Sequence, residues 1–304
     1  EGSFSIPMLF KFSDRLNTSV LKKSVEFLLE HHGIFKIKID QKSLSFTNSI
    51  DQNPVKVVKN LNESEVDSFI KEECQQKIAI DSEYLYRFLI IESEERTYLF
   101  FNIHHIIWDG TSTSVFLSNL KKVYESLVAG IEPSIKKESE LKYDDYIVRQ
   151  KAYQDNLPEG YSDFFQTLPL PEIPIDKFRE KENLSFGKMT NFKISKNRIE
   201  KFCRTHEITP YVLFASVFSI LVHRYTGLES FHLGVPLLGR FSREDLISLG
   251  FYASTSLLPI NIDLSSTLKT INNIRGSVNQ SAKALVKKIA STQIEVEVNN
   301  DIDD

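Results

Sequence analysis

YLYRFLIIESEERTYLFFNIHHIIWDG, residues 84–110, decides the fold of this chain. Two near-continuous apolar runs, YLYRFLII and TYLFFNIHHII, flank the polar turn ESEERT. Strands covered on both faces read this way, so the pair predicts a hairpin at the centre of a sheet. His104 and His105 then end a buried strand. Successive strand side chains point to opposite faces, so one imidazole faces a cleft and the other packs behind it.

Working outward, TSTSVFLSNLKKVYESLVAG follows Gly110 with hydroxyls at Thr111–Ser114 that cap a helix, giving the order strand, polar loop, helix. Upstream, DRLNTSVLKKSVEFLLEHHG predicts an amphipathic helix: Asn17 or Thr18 is the N-cap, Leu21, Val25, Leu28 and Leu29 recur at helical spacing, and Gly33 ends it. FKIKI alternates like a half-exposed strand. Downstream, LPLPEIPIDKF reads as an extended linker. SKNRIEKFCRTHE and TPYVLFASVFSILVHRYTG are predicted helices, the second capped by Thr209 with Pro210 at its first position. FHLGVPLL and YASTSLLPINI are predicted strands, and SVNQSAKALVKKIASTQIEVEVNNDIDD a helix followed by a short strand. The expectation is a mixed α/β (α+β) chain with an N-terminal lobe over 1–167, a linker over 168–185 and a C-terminal lobe over 186–304.

The 304 residues, 41% hydrophobic with 22 Phe and 11 Tyr, suffice for two packed cores. The formal net charge is −4, from 37 basic and 41 acidic residues, and Lys is interspersed with Glu and Asp. That pattern argues against nucleic acid as the main partner. The only cysteines, Cys74 and Cys203, lie far apart and are expected to be buried thiols in a reducing compartment. No apolar run approaches the ~18–20 residues of a membrane span, and EGSFSIPMLF lacks the basic start and cleavage site of a secretory signal. The expected setting is the cytoplasm, away from membranes.

A neutral imidazole at a strand end, with an unperturbed pKa near ~6.5, is suited to accept a proton from an attacking amine or hydroxyl, or to orient it. His105 is the candidate. Asp109 is placed to receive an arginine and hold the loop, and Gly110 allows a backbone angle or close approach that other residues do not. A zinc site is disfavoured, because a chelating pair on a strand sits at i and i+2 and no ligand cluster completes the set. The hydroxyls beside the histidines lack the GxSxG elbow of a hydrolase, and there is no GxxxxGK[ST] loop for a nucleotide.

HHIIWDG resembles the HHxxxDG signature of the condensation domains of nonribosomal peptide synthetases, members of the chloramphenicol-acetyltransferase-like acyltransferase superfamily. Other stretches agree in order. EHHGIFKIKI resembles RHExLRTxF, with Gly33, Lys36 and Ile37 replacing the family's Glu, second Arg and Thr. YDDYIVRQ resembles YxDYxxWQ, with Tyr143, Asp145 and Tyr146 in place and Arg149 where the family has Trp. TPYVLFASVFSILVHRYTGLESFHLGVPLLGR resembles the helix and strand leading to a family arginine, here Arg240, and GFYASTSLLPI resembles GxFVNTxPLR, with Ser254 in place of Asn. The likeness runs to about residue 265; the family's first motif and last two are not found, so the second lobe reads as incomplete.

The resemblance implies two similar αβα lobes in a V with a central tunnel, where a thioester on a carrier protein's phosphopantetheine arm meets an acceptor amine. It implies that His105 is the catalytic or positioning histidine, His104 its structural neighbour, and Gly110 a glycine whose N–H faces the reacting carbonyl. It pairs Asp109 with Arg240 in a salt bridge joining the lobes, and puts Trp108, Ser254 and Thr255 beside the substrate tunnel, although Trp108 is equally read as plain packing. The implied partners are donor and acceptor acyl or peptidyl carrier domains and other synthetase modules of antibiotic-producing assemblies, and the domain itself binds no cofactor or metal. The alternatives are an epimerisation domain, for which LLGRFSRE matches poorly, a free-standing acyl-CoA-dependent acyltransferase, and an inactive domain that only docks carriers. The remaining histidines, His31, His32, His206, His223 and His232, are read as helical or surface residues without a role.

Overall fold

The computed structural model describes residues 4–40, 45–48, 55–135, 143–155, 167–174, 193–240 and 242–290. The chain divides into two compact units, Glu1–Lys151 with Leu238–Ala253, and Ala152–Leu237 with Ser254–Asp304. This division differs from the continuous one expected, into 1–167, 168–185 and 186–304: a segment from the second half of the sequence groups with the first unit, held there by buried polar contacts from Arg240.

In the first unit, β1 (Ser5–Lys11), β4 (Lys56–Leu61), β5 (Tyr86–Ser93) and β6 (Thr97–His104) form a sheet in the order β1-β6-β5-β4. The predicted hairpin is its centre: β5 and β6 pair antiparallel, from Tyr86 opposite Ile103 to Glu92 opposite Thr97, and every β6 residue is buried. β1 runs antiparallel to β6 and sets Ser5 opposite His104; β4 runs parallel to β5. β2 (Ile37–Asp40) and β3 (Ser45–Asn48) make a separate antiparallel pair.

Helix α1 (Thr18–His31) starts at Asn17, whose side chain accepts from Val20 N at 3.1 Å. It buries Leu21, Val25, Leu28 and Leu29, each worth about 1.5–3 kcal/mol of apolar transfer before ordering costs. Helix α2 (Glu63–Gln75) carries a capping box between Asn62 and Glu65. Helix α3 (Gly110–Val128) and the part of α4 (Tyr143–Asp155) up to Lys151 complete the unit. Phe35, Phe88, Phe101, Trp108 and Phe116 fill the core with ring centroids 5.3–6.2 Å apart. This aromatic cluster anchors the end of β6.

In the second unit, β7 (Ser230–Leu237) and β8 (Ser254–Asn261) pair antiparallel, with α5 (Lys196–Thr205), α6 (Pro210–Thr226) and α7 (Thr267–Ala290). Thr209 caps α6, accepting from Val212 N at 3.2 Å, and Gly227 ends it at φ 73°. Val222, Phe231, Leu258, Ile260 and Ile274 form the core. The proline-rich stretch is not a free spacer at its start: His232 N donates to Pro169 O at 2.9 Å, which docks it on β7. Its continuation beyond residue 174, and the strand expected after α7, lie outside the described residues.

Two smaller expectations are corrected. Cys203 is buried but Cys74 is exposed, because α2 presents most of its length to solvent and buries only Val66. His32 and His232 are core residues, not surface ones. Among the described residues no single helix is long and apolar enough to cross a membrane.

Candidate active site

Strand β6 delivers both histidines, and the backbone then turns. His104 N donates to Leu85 O at 2.8 Å, so this residue still belongs to the ladder. Its Nδ1 accepts from Ile106 N at 3.1 Å, capping the 3-10 turn His105–Ile107. Accepting at Nδ1 leaves the neutral ring's proton on Nε2. Burial, and then the adjacent His105, push the His104 pKa down, so the ring is held neutral.

His105 begins the turn. Its N–H donates to Phe4 O at 2.7 Å and its carbonyl accepts from Trp108 N at 3.2 Å. The two imidazoles part here: His104 is buried, whereas His105 is half-buried with its ring edge-to-face against Phe251, centroids 5.0 Å apart at 73°. His105 Nδ1 is buried and has no hydrogen-bond partner among the described residues.

Asp109 organises the rest. It is the N-cap of α3, and its Oδ1 accepts from Ser112 N at 2.8 Å. The hydroxyl run Thr111–Ser114 therefore does not supply the cap. Ser112 Oγ instead lies within hydrogen-bond reach of Asp109 Oδ1 (2.9 Å), Gly250 O (2.8 Å), Gly250 N (3.0 Å) and Arg240 Nη2 (2.9 Å). Having one proton, it donates to one of the two acceptors and takes the two N–H groups on its lone pairs.

Arg240 and Asp109 form the expected salt bridge, Nη2 to Oδ1 at 2.9 Å, with side chains 0% and 4% exposed. Both belong to the first unit, so the pair does not join two lobes; it fastens the 238–253 segment to the motif. Arg240 Nη1 donates to Asp245 O and to Ser248 O, the latter at 2.6 Å, and the guanidinium lies 4.0 Å from the Tyr252 ring centroid. Tyr252 N donates to Asp109 Oδ2 at 3.2 Å. The two buried charges thus compensate each other and have further hydrogen bonds, the condition under which such a pair is tolerated.

Helix α4 grips the same segment one turn apart. Tyr146 Oη donates to Tyr252 O at 3.0 Å, and Arg149 Nη2 pairs with Asp245 Oδ1 at 3.0 Å. Arg149, where the family motif carries Trp, thus neutralises a buried aspartate. Burial, more than the nearby aspartates, raises the Tyr146 pKa and keeps its phenol protonated. Gly239 is required by its surroundings: its φ is +64°, and a Cβ there would lie 1.7 Å from Tyr252 O. The side chains of Tyr143 and Asp145 lie outside the described residues.

Four other expected positions differ in character. Trp108 is fully buried among Phe35, Phe101 and Phe116, with Nε1 donating to Thr113 Oγ1 at 2.9 Å, so it packs as core, the second of its two expected readings. Gly110 is exposed, has no positive φ, and would leave an added Cβ in open space, so the fold itself does not demand glycine there. Ser254 and Thr255 begin β8 in the second unit. Sequence reasoning did not single out Ser112, Gly239, Asp245, Phe251 or Tyr252. Among the described residues no group of three His, Cys, Asp or Glu side chains is placed to hold a metal ion.

A family model described as "Condensation domain" matches residues 1–297. "Polyketide synthase PksN" of Bacillus subtilis (strain 168) is 24% identical over 270 residues, which is 83% of this chain and 5% of that protein. "Cyclosporin synthetase simA" of Tolypocladium inflatum is 24% identical over 275 residues, 86% of this chain and 2% of that protein. The chain therefore spans only a small part of these relatives. Among solved structures, the first condensation domain of the CDA synthetase superposes with a TM-score of 0.73 at 13% identity, over 94% of this chain and 72% of that one. The epimerization domain from the third module of tyrocidine synthetase B gives 0.76 at 13% identity, over 95% and 69%. These likenesses show a mixed α/β fold of the kind these domains have.

Proposed function

The chain belongs to the condensation-domain family, and from that membership we propose that it joins an acyl or peptidyl thioester on one carrier protein to the amine of an acceptor on another, forming an amide. The observation that carries this reading is His105, half-buried at the end of β6 inside a motif whose aspartate is locked by Arg240. The donor and acceptor carriers, with their phosphopantetheine arms, are substrates and proposed partners.

In this reaction the acceptor nitrogen attacks the thioester carbonyl, the C–N bond forms, the C–S bond breaks, and the nitrogen's proton ends on the departing thiol. A thioester is already activated, so alignment and one proton transfer are what the protein must add. His105 is assigned the orientation of the amine and the transfer of that proton. Gly110, at the first turn of α3, has a backbone N–H of the kind that no intrahelical carbonyl accepts. It is assigned to the carbonyl oxygen as charge develops there. The absence of a Cβ leaves the approach open.

The test is incubation of the purified protein with an acyl-loaded and an aminoacyl-loaded carrier, with the amide followed by mass spectrometry and its stereochemistry by chiral analysis. Amide from wild type and its loss in His105→Ala are expected. No amide, or undiminished amide in His105→Ala, rejects the reading. Turnover of acyl-CoA without a carrier supports the free-standing acyltransferase, and inverted configuration without condensation supports the epimerase.

A further inference from the structure

A histidine that handles a proton usually has its ring fixed by a hydrogen bond to the nitrogen that faces away from the substrate. His105 lacks this: its Nδ1 is buried with no partner among the described residues. Its imidazole instead meets the Phe251 ring at 5.0 Å and 73°. Edge-to-face contacts of this kind have a preferred geometry and add about 0.5–1.5 kcal/mol beyond area burial.

Phe251 is itself unusually well placed to set an orientation. The residue before it, Gly250, is tied through both its N–H and its carbonyl to Ser112 Oγ, at 3.0 and 2.8 Å. The residue after it, Tyr252, donates its N–H to Asp109 Oδ2 at 3.2 Å and offers its carbonyl to Tyr146. Phe251 is thus held on both sides by the motif aspartate, by the first turn of α3 and by α4. The backbone that carries the aromatic ring and the loop that carries the imidazole form one hydrogen-bonded body.

We propose that Phe251 is the positioning residue of this site, fixing the orientation of the His105 imidazole by ring packing where Nδ1 has no hydrogen-bond partner among the described residues. The proposal rests on the reading of His105 given above for its catalytic consequence, but the packing is measurable without turnover. It gives the Asp109–Arg240–Ser112 network a purpose beyond holding the loop, because that network fixes where Phe251 stands.

The experiment compares wild type, Phe251→Leu and Phe251→Tyr in protein labelled with 13C-histidine, with the His105 resonance identified by its loss in His105→Ala. Circular dichroism checks that each variant is folded. In Phe251→Leu the His105 ring resonance moves, while kcat falls about tenfold with KM within twofold, as expected for a misaligned group. Phe251→Tyr, which keeps the ring, retains both properties. An unmoved His105 resonance in Phe251→Leu overturns the proposal, as does a wild-type kcat in that variant. If wild type forms no amide, the reaction assigned above fails and the resonance alone decides this proposal. Should Phe251→Leu not fold, Phe251→Met replaces it with the same two outcomes.

Discussion

Asp109 and Arg240, 131 residues apart in sequence, meet as a buried ion pair at 2.9 Å that bridges the first turn of α3 and the 238–253 segment. Three things converge on that aspartate: the cap of α3, the charge of Arg240 and the N–H of Tyr252. Asp109→Ala leaves Arg240 charged and uncompensated in the interior, which costs about 3–5 kcal/mol. Small domains are stable by only about 5–15 kcal/mol. The expected outcome is insoluble protein, or a large drop in the urea midpoint; an unchanged midpoint would contradict the burial described for the pair.

The two site glycines behave oppositely. Gly239→Ala forces a Cβ into the Tyr252 carbonyl from a left-handed backbone, and is expected to destabilise severely in thermal unfolding. Gly110→Ala meets open space and is expected to melt within a few degrees of wild type. Its amide-forming rate should nonetheless fall at least tenfold if the thioester carbonyl approaches there. Equal losses of stability in the two variants would remove the distinction.

Arg149 and Asp245 form the second ion pair of the segment, with side chains 38% and 4% exposed. Arg149→Met uncovers a buried carboxylate and is expected to cost about 1–3 kcal/mol. Asp245→Asn should cost a similar amount, and the double variant less than the sum of the two. A double-mutant cycle in urea measures the coupling, and strict additivity would show that the two side chains act independently.

His104 gives stability a pH dependence. Its folded pKa lies below the ordinary value of 6.5, chiefly through burial and next through His105. The unfolded chain therefore binds the proton more readily. The His104 contribution is complete above about pH 6.5, is lost as pH falls below it, and levels off once the folded ring also titrates. Unfolding midpoints between pH 8 and 5 should show this fall, and His104→Gln should flatten it. An equal fall in His104→Gln would assign the dependence to other groups.

Elements whose signals are local were legible in the sequence. Asn17 and Thr209 cap the helices they were expected to cap, Gly227 ends α6, and the two apolar runs form the central hairpin. Strands β1 and β4 and helix α2 were not read. β4 is short, and α2 buries only Val66, so its helical period is faint, although Asn62 and Glu65 spell out a capping box. The site was legible where the HHxxxDG spacing carried it. Ser112 was read as one capping hydroxyl among several and Asp245 was passed over, because their partners Gly250 and Arg149 become neighbours only after folding; the local pairing of Ser242 with Asp245, three residues on, was open to reading and was missed.

By itself the sequence determined the strand, loop and helix order around His105, since apolar periodicity and capping act over a few residues. It also named Arg240 as the partner of Asp109, through a family resemblance and not through any local rule. Only the tertiary structure decided that residues 238–253 belong with the first unit, that Trp108 is core, and that Phe251 faces His105. Those outcomes depend on which distant side chains can satisfy a buried guanidinium and a buried carboxylate at once, a condition set by three-dimensional packing and invisible to any window of sequence.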